Sequence, residues 1–175
     1  MKTIDQLSRE EIIIALNKDW MTHDGMWFFN SVMELGIEKT NQLNLAAIEG
    51  MTQLEIHRFK KLLGFKKDRI ESFEEFKAFF GAIRKLFIPE FMGSHVEFTD
   101  HDSVIMEMEK DNCFAYKGIK KMNQLDEYRC GVLYRIELMF KHTELRYKAS
   151  HMAGKCLMHH QGACKVEYQF DFSDF

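Results

Sequence analysis

A single proline, Pro89, stands in this 175-residue chain, and it falls where the spacing of apolar side chains changes period. Proline has no amide hydrogen and clashes with the preceding helical turn, so it closes a helix rather than continuing one. Before it the chain reads as helix after helix. Ser8 and Glu11 form a capping box ahead of Ile12, Ile13, Ile14, Leu16 and Trp20, which predicts a first helix from about residue 9 to 20. Thr22 or Asp24 can cap a second that ends near Gly36, and a third runs from 37 to 63 with a bend expected at Gly50. Ser72 and Glu75 open a fourth, striped by Phe76, Phe79, Phe80, Ile83, Leu86 and Phe87.

After Gly93 the pattern alternates. Residues 95–99 and 103–109 flank the turn-forming Asp100-His101-Asp102 and read as a β-hairpin. A short helix is expected after Asn112, and a stronger one over about 125–141 with Cys130 in its first half. Strands are expected at 144–150 and 165–172. Helices and strands are segregated, so the fold class is α+β with an antiparallel sheet of about four strands. A helical portion, 1–90, and an α+β portion, 91–175, are expected to form one compact unit.

Composition narrows the function classes. A net charge of −3 with acids and bases interspersed gives no pull toward nucleic acid. The basic run from His57 to Lys61 has no aromatic reading platform beyond Phe59 and reads as a solvated face. No apolar run approaches the roughly 20 residues that span a bilayer, and the amino terminus runs directly into a capped helix, so a cytoplasmic protein is expected. Sixteen Phe and twelve Met exceed what routine core filling suggests. Most belong to the core; the remainder suits an apolar pocket for a hydrophobic or aromatic small molecule, and exposed Met and Phe fit a homodimer.

The chemistry-bearing residues lie mainly in the last third. Cys130, Cys156 and Cys164 accompany a nine-residue segment, Cys156-Leu-Met-His-His-Gln-Gly-Ala-Cys164, that reads as a turn and ends where a strand begins. In a reducing compartment such thiols are metal ligands, reactive groups or small buried hydrophobes rather than disulfides. Zinc favours thiolate and needs four donors in a structural site; the fourth is open among Cys113, His151, His159 and His160. Unrelated core or surface thiols are the simpler alternative. There is no phosphate loop, dinucleotide fingerprint, Gly-x-Ser-x-Gly elbow or His-Glu-x-x-His pair.

Cys130-Gly131, Cys156 with Gly162 and Cys164, and Tyr168 and Phe170 in a closing strand resemble the vinyl-4-reductase small-molecule-binding domain, over about residues 93–172. The resemblance implies zinc held by the three cysteines and a ligand-sensing role. That family usually places a glutamate three residues before the middle cysteine; Ala153 stands there in this chain, with His151 a candidate replacement on the same strand face. His23-Asp24-Gly25 followed by Trp27-Phe28, with a long helix bearing Glu55, Arg58, Lys60 and Lys61, is similar to little-characterised prokaryotic cytosolic proteins grouped with aminothiazoline-carboxylate hydrolases. That likeness implies that His23, Asp24, Trp27 and Phe28 line a ligand pocket, although His23 and Asp24 at a helix start also read as a cap and its neighbour. The resulting expectation is a small-molecule-binding protein with a structural zinc and no catalytic site. The competing class is an enzyme, a hydrolase of a heterocycle or a reductase-associated protein, using His23, Asp24 and a reactive cysteine.

Overall fold

The computed structural model describes residues 1–152 and 154–173. It opens with a helical segment, α1, from Arg9 to Leu63, capped by Ser8, whose hydroxyl accepts the Glu11 amide, and closed by Gly64 in the left-handed conformation. The expected boundary near Trp20 is absent. Thr22 does not cap a new helix; its hydroxyl donates to the Lys18 carbonyl one turn back, at 2.8 Å, which leaves the helical ladder intact. The segment breaks at Gly36, where the second helix is expected to end, with a φ of 77° and ψ of 164° in a region essentially reserved for glycine. Gly50, the expected bend, is ordinary helix.

The break reverses the chain. Thirty-five residues of straight helix would hold Trp20 and Glu55 about 50 Å apart. Both meet Arg135: its guanidinium carbon lies 5.1 Å from the Trp20 ring centroid, and its Nε donates to Glu55 Oε2 at 3.1 Å. Residues 9–35 and 37–63 are therefore two arms of a helical hairpin. Asn17, buried in the first arm, ties it to the next helix by donating to the Leu86 carbonyl at 2.9 Å.

α2 (Phe73–Phe87) starts at Ser72 as expected and buries Phe73, Phe76, Phe79 and Ile83 at helical spacing. Pro89 and a short 3₁₀ turn, Glu90–Met92, lead into β1 (Ser94–Phe98) and β2 (Ser103–Met108). α3 (Phe114–Lys121) and α4 (Gly131–Lys141) follow, then β3 (Arg146–Ala149), α5 (Leu157–Gln161) and β4 (Cys164–Asp171). The four strands form one antiparallel sheet in the order β1-β2-β4-β3. The chain is an α+β protein.

Three details depart from the sequence reading. Cys130 is not inside a helix but is the residue before α4. The segment from Cys156 to Cys164 contains a helix rather than only a turn. β3 begins two residues late because Thr143 and Glu144 complete the turn that ends α4, with Glu144 at a φ of 55° and the Leu145 amide returning to the Phe140 carbonyl.

In β4 the inward residues Val166, Tyr168 and Phe170 alternate with outward Glu167, Gln169 and Asp171. Phe76, Phe140 and Tyr168 are fully buried, and the Phe76 ring packs 4.3 Å from Phe170 and 5.9 Å from Phe140. Ile56 and Phe59 of α1 join the same core, which thus draws on residues from both sides of position 90. Among the described residues, no helix is long and apolar enough to cross a membrane.

The two glycines of α1 give a paired prediction. Gly36→Ala should cost about 1–3 kcal/mol, because alanine strains at its backbone angles. Gly50→Ala should be neutral or stabilise by about 0.5–1 kcal/mol, since it meets open space in helix interior. Urea denaturation followed by far-ultraviolet circular dichroism reads both.

Candidate functional site

The four cysteines come from separate parts of the chain and border one apolar cluster, in which Phe28, Tyr116, Ile119, Tyr128 and Met158 are buried. Three of them stand immediately before a helix: Cys113 before α3, Cys130 before α4 and Cys156 before α5. Cys164 opens β4. All are free thiols, Cys156 buried and the others half-buried.

Specific contacts bring them together. The Cys130 amide donates to the Gly154 carbonyl at 3.3 Å, fastening the start of α4 to the loop that leads to Cys156. Buried Asn41, on the second arm of α1, clamps the chain just before Cys130: its Nδ2 donates to the Glu127 carbonyl at 2.8 Å and its Oδ1 accepts the Arg129 amide at 3.1 Å. Gly131 allows that approach, since a Cβ there would lie 2.7 Å from Ile48 Cδ1. The Tyr128 hydroxyl accepts the Gly131 amide at 3.3 Å, and its ring meets Phe28 edge-on at 5.9 Å. Asn41 and Tyr128 carry no motif, and sequence reasoning passed over them.

Burial acts on three of these thiols, Cys130, Cys156 and Cys164. It pushes Cys130 up to about 12, with the neighbouring thiols of Cys113 and Cys156 adding to the rise and the amides of Leu133 and Val132 opposing it. Cys164 is likewise pushed up to about 12 by burial and then by Cys130, Cys113 and Cys156. Burial raises Cys156 too, against the amides of His159 and Met158. Neutral thiols are poor nucleophiles. Among the described residues, no group of three or more His, Cys, Asp or Glu side chains forms a metal-holding cluster.

The histidines lie elsewhere. His151 Nε2 pairs with Glu137 Oε1 at 2.9 Å beside the ring of Tyr168, leaving its buried Nδ1 without a partner. His159 is paired with Asp126 at 2.7 Å, and His160 is exposed. Of the four candidate fourth ligands, Cys113 packs against the apolar cluster, and His159 reaches Cys156 through its backbone amide. Ala153 lies outside the described residues.

The expected ligand-pocket residues separate. Phe28 points into the thiol cluster. His23 and Trp27 instead edge an open groove of about 500 Å³ on the outer side of the first arm, lined entirely by that arm. Asp24 is half-buried, and that burial raises its pKa, against the pull of Arg135 and His23. A second groove, of about 540 Å³, lies between α4 and β3, with Tyr134, Leu138, Leu145 and Tyr147 among its walls and Glu137 and Arg146 among its polar groups.

An α+β fold in which four cysteines border one apolar cluster is thus the class that the geometry defines. A family model described as a family of unknown function (DUF6125) matches residues 3–169, and the chain belongs to that family. Neither the curated proteins nor the solved structures contain a match.

Asp24 supplies a pH test. A carboxyl whose pKa is higher in the folded than in the unfolded chain favours folding at low pH, and that contribution is lost as pH rises through the folded value. Asp24→Asn should therefore raise the thermal midpoint at neutral pH, and the gain should vanish below the ordinary aspartate range. Melting curves from pH 3 to about 8 read the difference.

Proposed function

We propose that the chain is a small-molecule-binding, sensor-like protein in which Cys113, Cys130, Cys156 and Cys164 hold a structural zinc. The observation that carries this reading is the convergence of all four cysteines, from four separate elements, on a single apolar cluster. Four thiols suit zinc, and drawing them onto one ion replaces four protons with one divalent charge. The raised thiol pKa values mean that metal uptake releases protons and weakens in acid. A four-thiolate sphere has no open position for a catalytic water, which favours a structural role over catalysis. The zinc would fasten the starts of α3, α4, α5 and β4 together beneath the elbow of α1.

The small molecule is placed in the groove between α4 and β3, which lies between a helix and the sheet. Tyr134 and Tyr147 offer ring faces, Leu138 and Leu145 an apolar floor, and Glu137 and Arg146 polar groups that can orient a ligand. The class of ligand is hydrophobic or aromatic. Nucleic acid is not part of this reading, because the basic residues of the second arm stand without an aromatic platform.

Elemental analysis of protein purified without chelator should give one zinc per chain. Cys113→Ser and Cys156→Ser should each lose the metal, whereas His159→Ala and His151→Ala should retain it. A metal-free protein of unchanged thermal midpoint, or zinc that survives Cys113→Ser, would overturn the four-cysteine assignment.

A further inference from the structure

The first arm of α1 presents an apolar face that is largely uncovered among the described residues, with Trp20 at its edge packing one side on Arg135. Leu16 is 65% exposed, Trp20 39%, Met26 54%, Trp27 44% and Met33 69%. Leu16, Trp20 and Trp27 share one side of the arm and leave on the order of 300 Å² of apolar side-chain surface open, with Met26 and Met33 about a third of a turn away, against about 800 Å² a side in a standard interface. Isolated exposed hydrophobics need no explanation, but a contiguous stripe with two tryptophans does.

The opposite charges at the two ends of that stripe point to the partner. Arg9, Leu16, Trp20, His23, Trp27 and Glu34 follow one another at intervals of seven, four, three, four and seven residues, the symmetric stepping that any coiled-coil seam has. An antiparallel copy of the arm therefore meets it in matched layers: Trp20 faces His23, Leu16 faces Trp27, and Arg9 at one end faces Glu34 at the other. Ile13 and Asn30 complete the intervening layer. Arg9 and Glu34 are both exposed, and neither has an ion-pair partner among the described residues. Antiparallel pairing gives each arm two such ion pairs, one at either end, and sets the helix dipoles in opposition.

We propose that the protein is a homodimer in which the first arms of α1 pair antiparallel about a two-fold axis passing between Trp20 and His23. The interface is isologous, and each arm supplies the missing wall of the other's open groove. An anionic membrane surface is the rival occupant for an exposed tryptophan stripe. It calls for basic residues along the flanks, whereas this face ends in a glutamate. The pairing stands independently of the zinc reading, because no cysteine lies on this face of the arm.

Sedimentation velocity of the full chain from about 1 to 100 μM should show a dimer, with dissociation in the nanomolar to micromolar range expected of an interface this size. Trp27→Glu should weaken it about 30-fold or more, as loss of a central aromatic contact does. Arg9→Glu should weaken it about tenfold, and Arg9→Glu combined with Glu34→Arg should restore it, because the reversed pair is again opposite in sign. All these positions are exposed, and unchanged circular dichroism verifies folding. A monomer at 100 μM, a dimer indifferent to Trp27→Glu, or a double charge reversal no better than Arg9→Glu alone overturns the proposal. So does a monomer that co-sediments with vesicles of anionic phospholipid.

Discussion

Extended without a break, the 55 residues of α1 would reach about 80 Å and could not bury either end against a sheet of strands four to eight residues long. The reversal at Gly36 converts that length into a hairpin, and the later contacts presuppose it. Arg135 on α4 touches Trp20 from one arm and Glu55 from the other, and its guanidinium lies 5.8 Å from the Phe87 ring of α2. A carboxylate and a guanidinium held this far from water gain little net energy over an apolar pair, since desolvation offsets most of their attraction. Their contribution is placement. Both arms, α2 and α4 are aligned at one point, and that alignment sets the register of everything α4 carries, including Cys130 at its start.

The elbow also covers the thiol cluster. Phe28 and Val32 on one side of Gly36 and Ile37 on the other pack against it, so the hairpin and the cysteines share one apolar environment. That environment explains the opposing effects on the thiols. Removal from water disfavours a thiolate, while the amides at the starts of α4 and α5 favour one. Burial wins at Cys130 and Cys156, as it does at Cys164. Under the proposed function, a zinc ion supplies the charge that the amides alone cannot, and its binding energy would be spent on the same junction that the elbow encloses.

Patterned segments of this fold were legible from sequence, and places decided by single contacts were not. The hairpin at Asp100–Asp102, the capping boxes at Ser8 and Ser72, and the alternation of β4 all follow from local chemistry, and the structure keeps them. Residues 20–25 carry cap-forming types as well, yet continue as helix because Thr22 bonds backward rather than forward. Gly36 is legible as a helix end and is one; Gly50 suggests a bend that does not form, because the second arm runs straight along α4. Likewise nothing in the sequence shows that the fold pairs His151 with Glu137 and His159 with Asp126. The cysteines could be picked out as a set, but Asn41 and Tyr128, which hold the chain around Cys130, act through distance in sequence and bear no signature.

The composition of the first arm makes physical sense only when its two faces are considered separately. A helix apolar on nearly every side is ordinarily buried on every side. Here the inward face carries Asn17 and Phe28 against α2 and the apolar cluster, Leu16 and Trp27 turn outward, and Trp20 stands between them with one side on Arg135. The aromatic excess that sequence reading assigned to core and pocket is therefore divided between the interior and an outer seam. The inward face fixes the arm rigidly, through Asn17 at one end and Phe28 near the elbow. That rigidity is what an interface built on one helix requires, because side chains already held in place lose little entropy when a second copy arrives. The same reversal at Gly36 that closes the interior thus leaves the outer stripe straight, continuous and available for pairing.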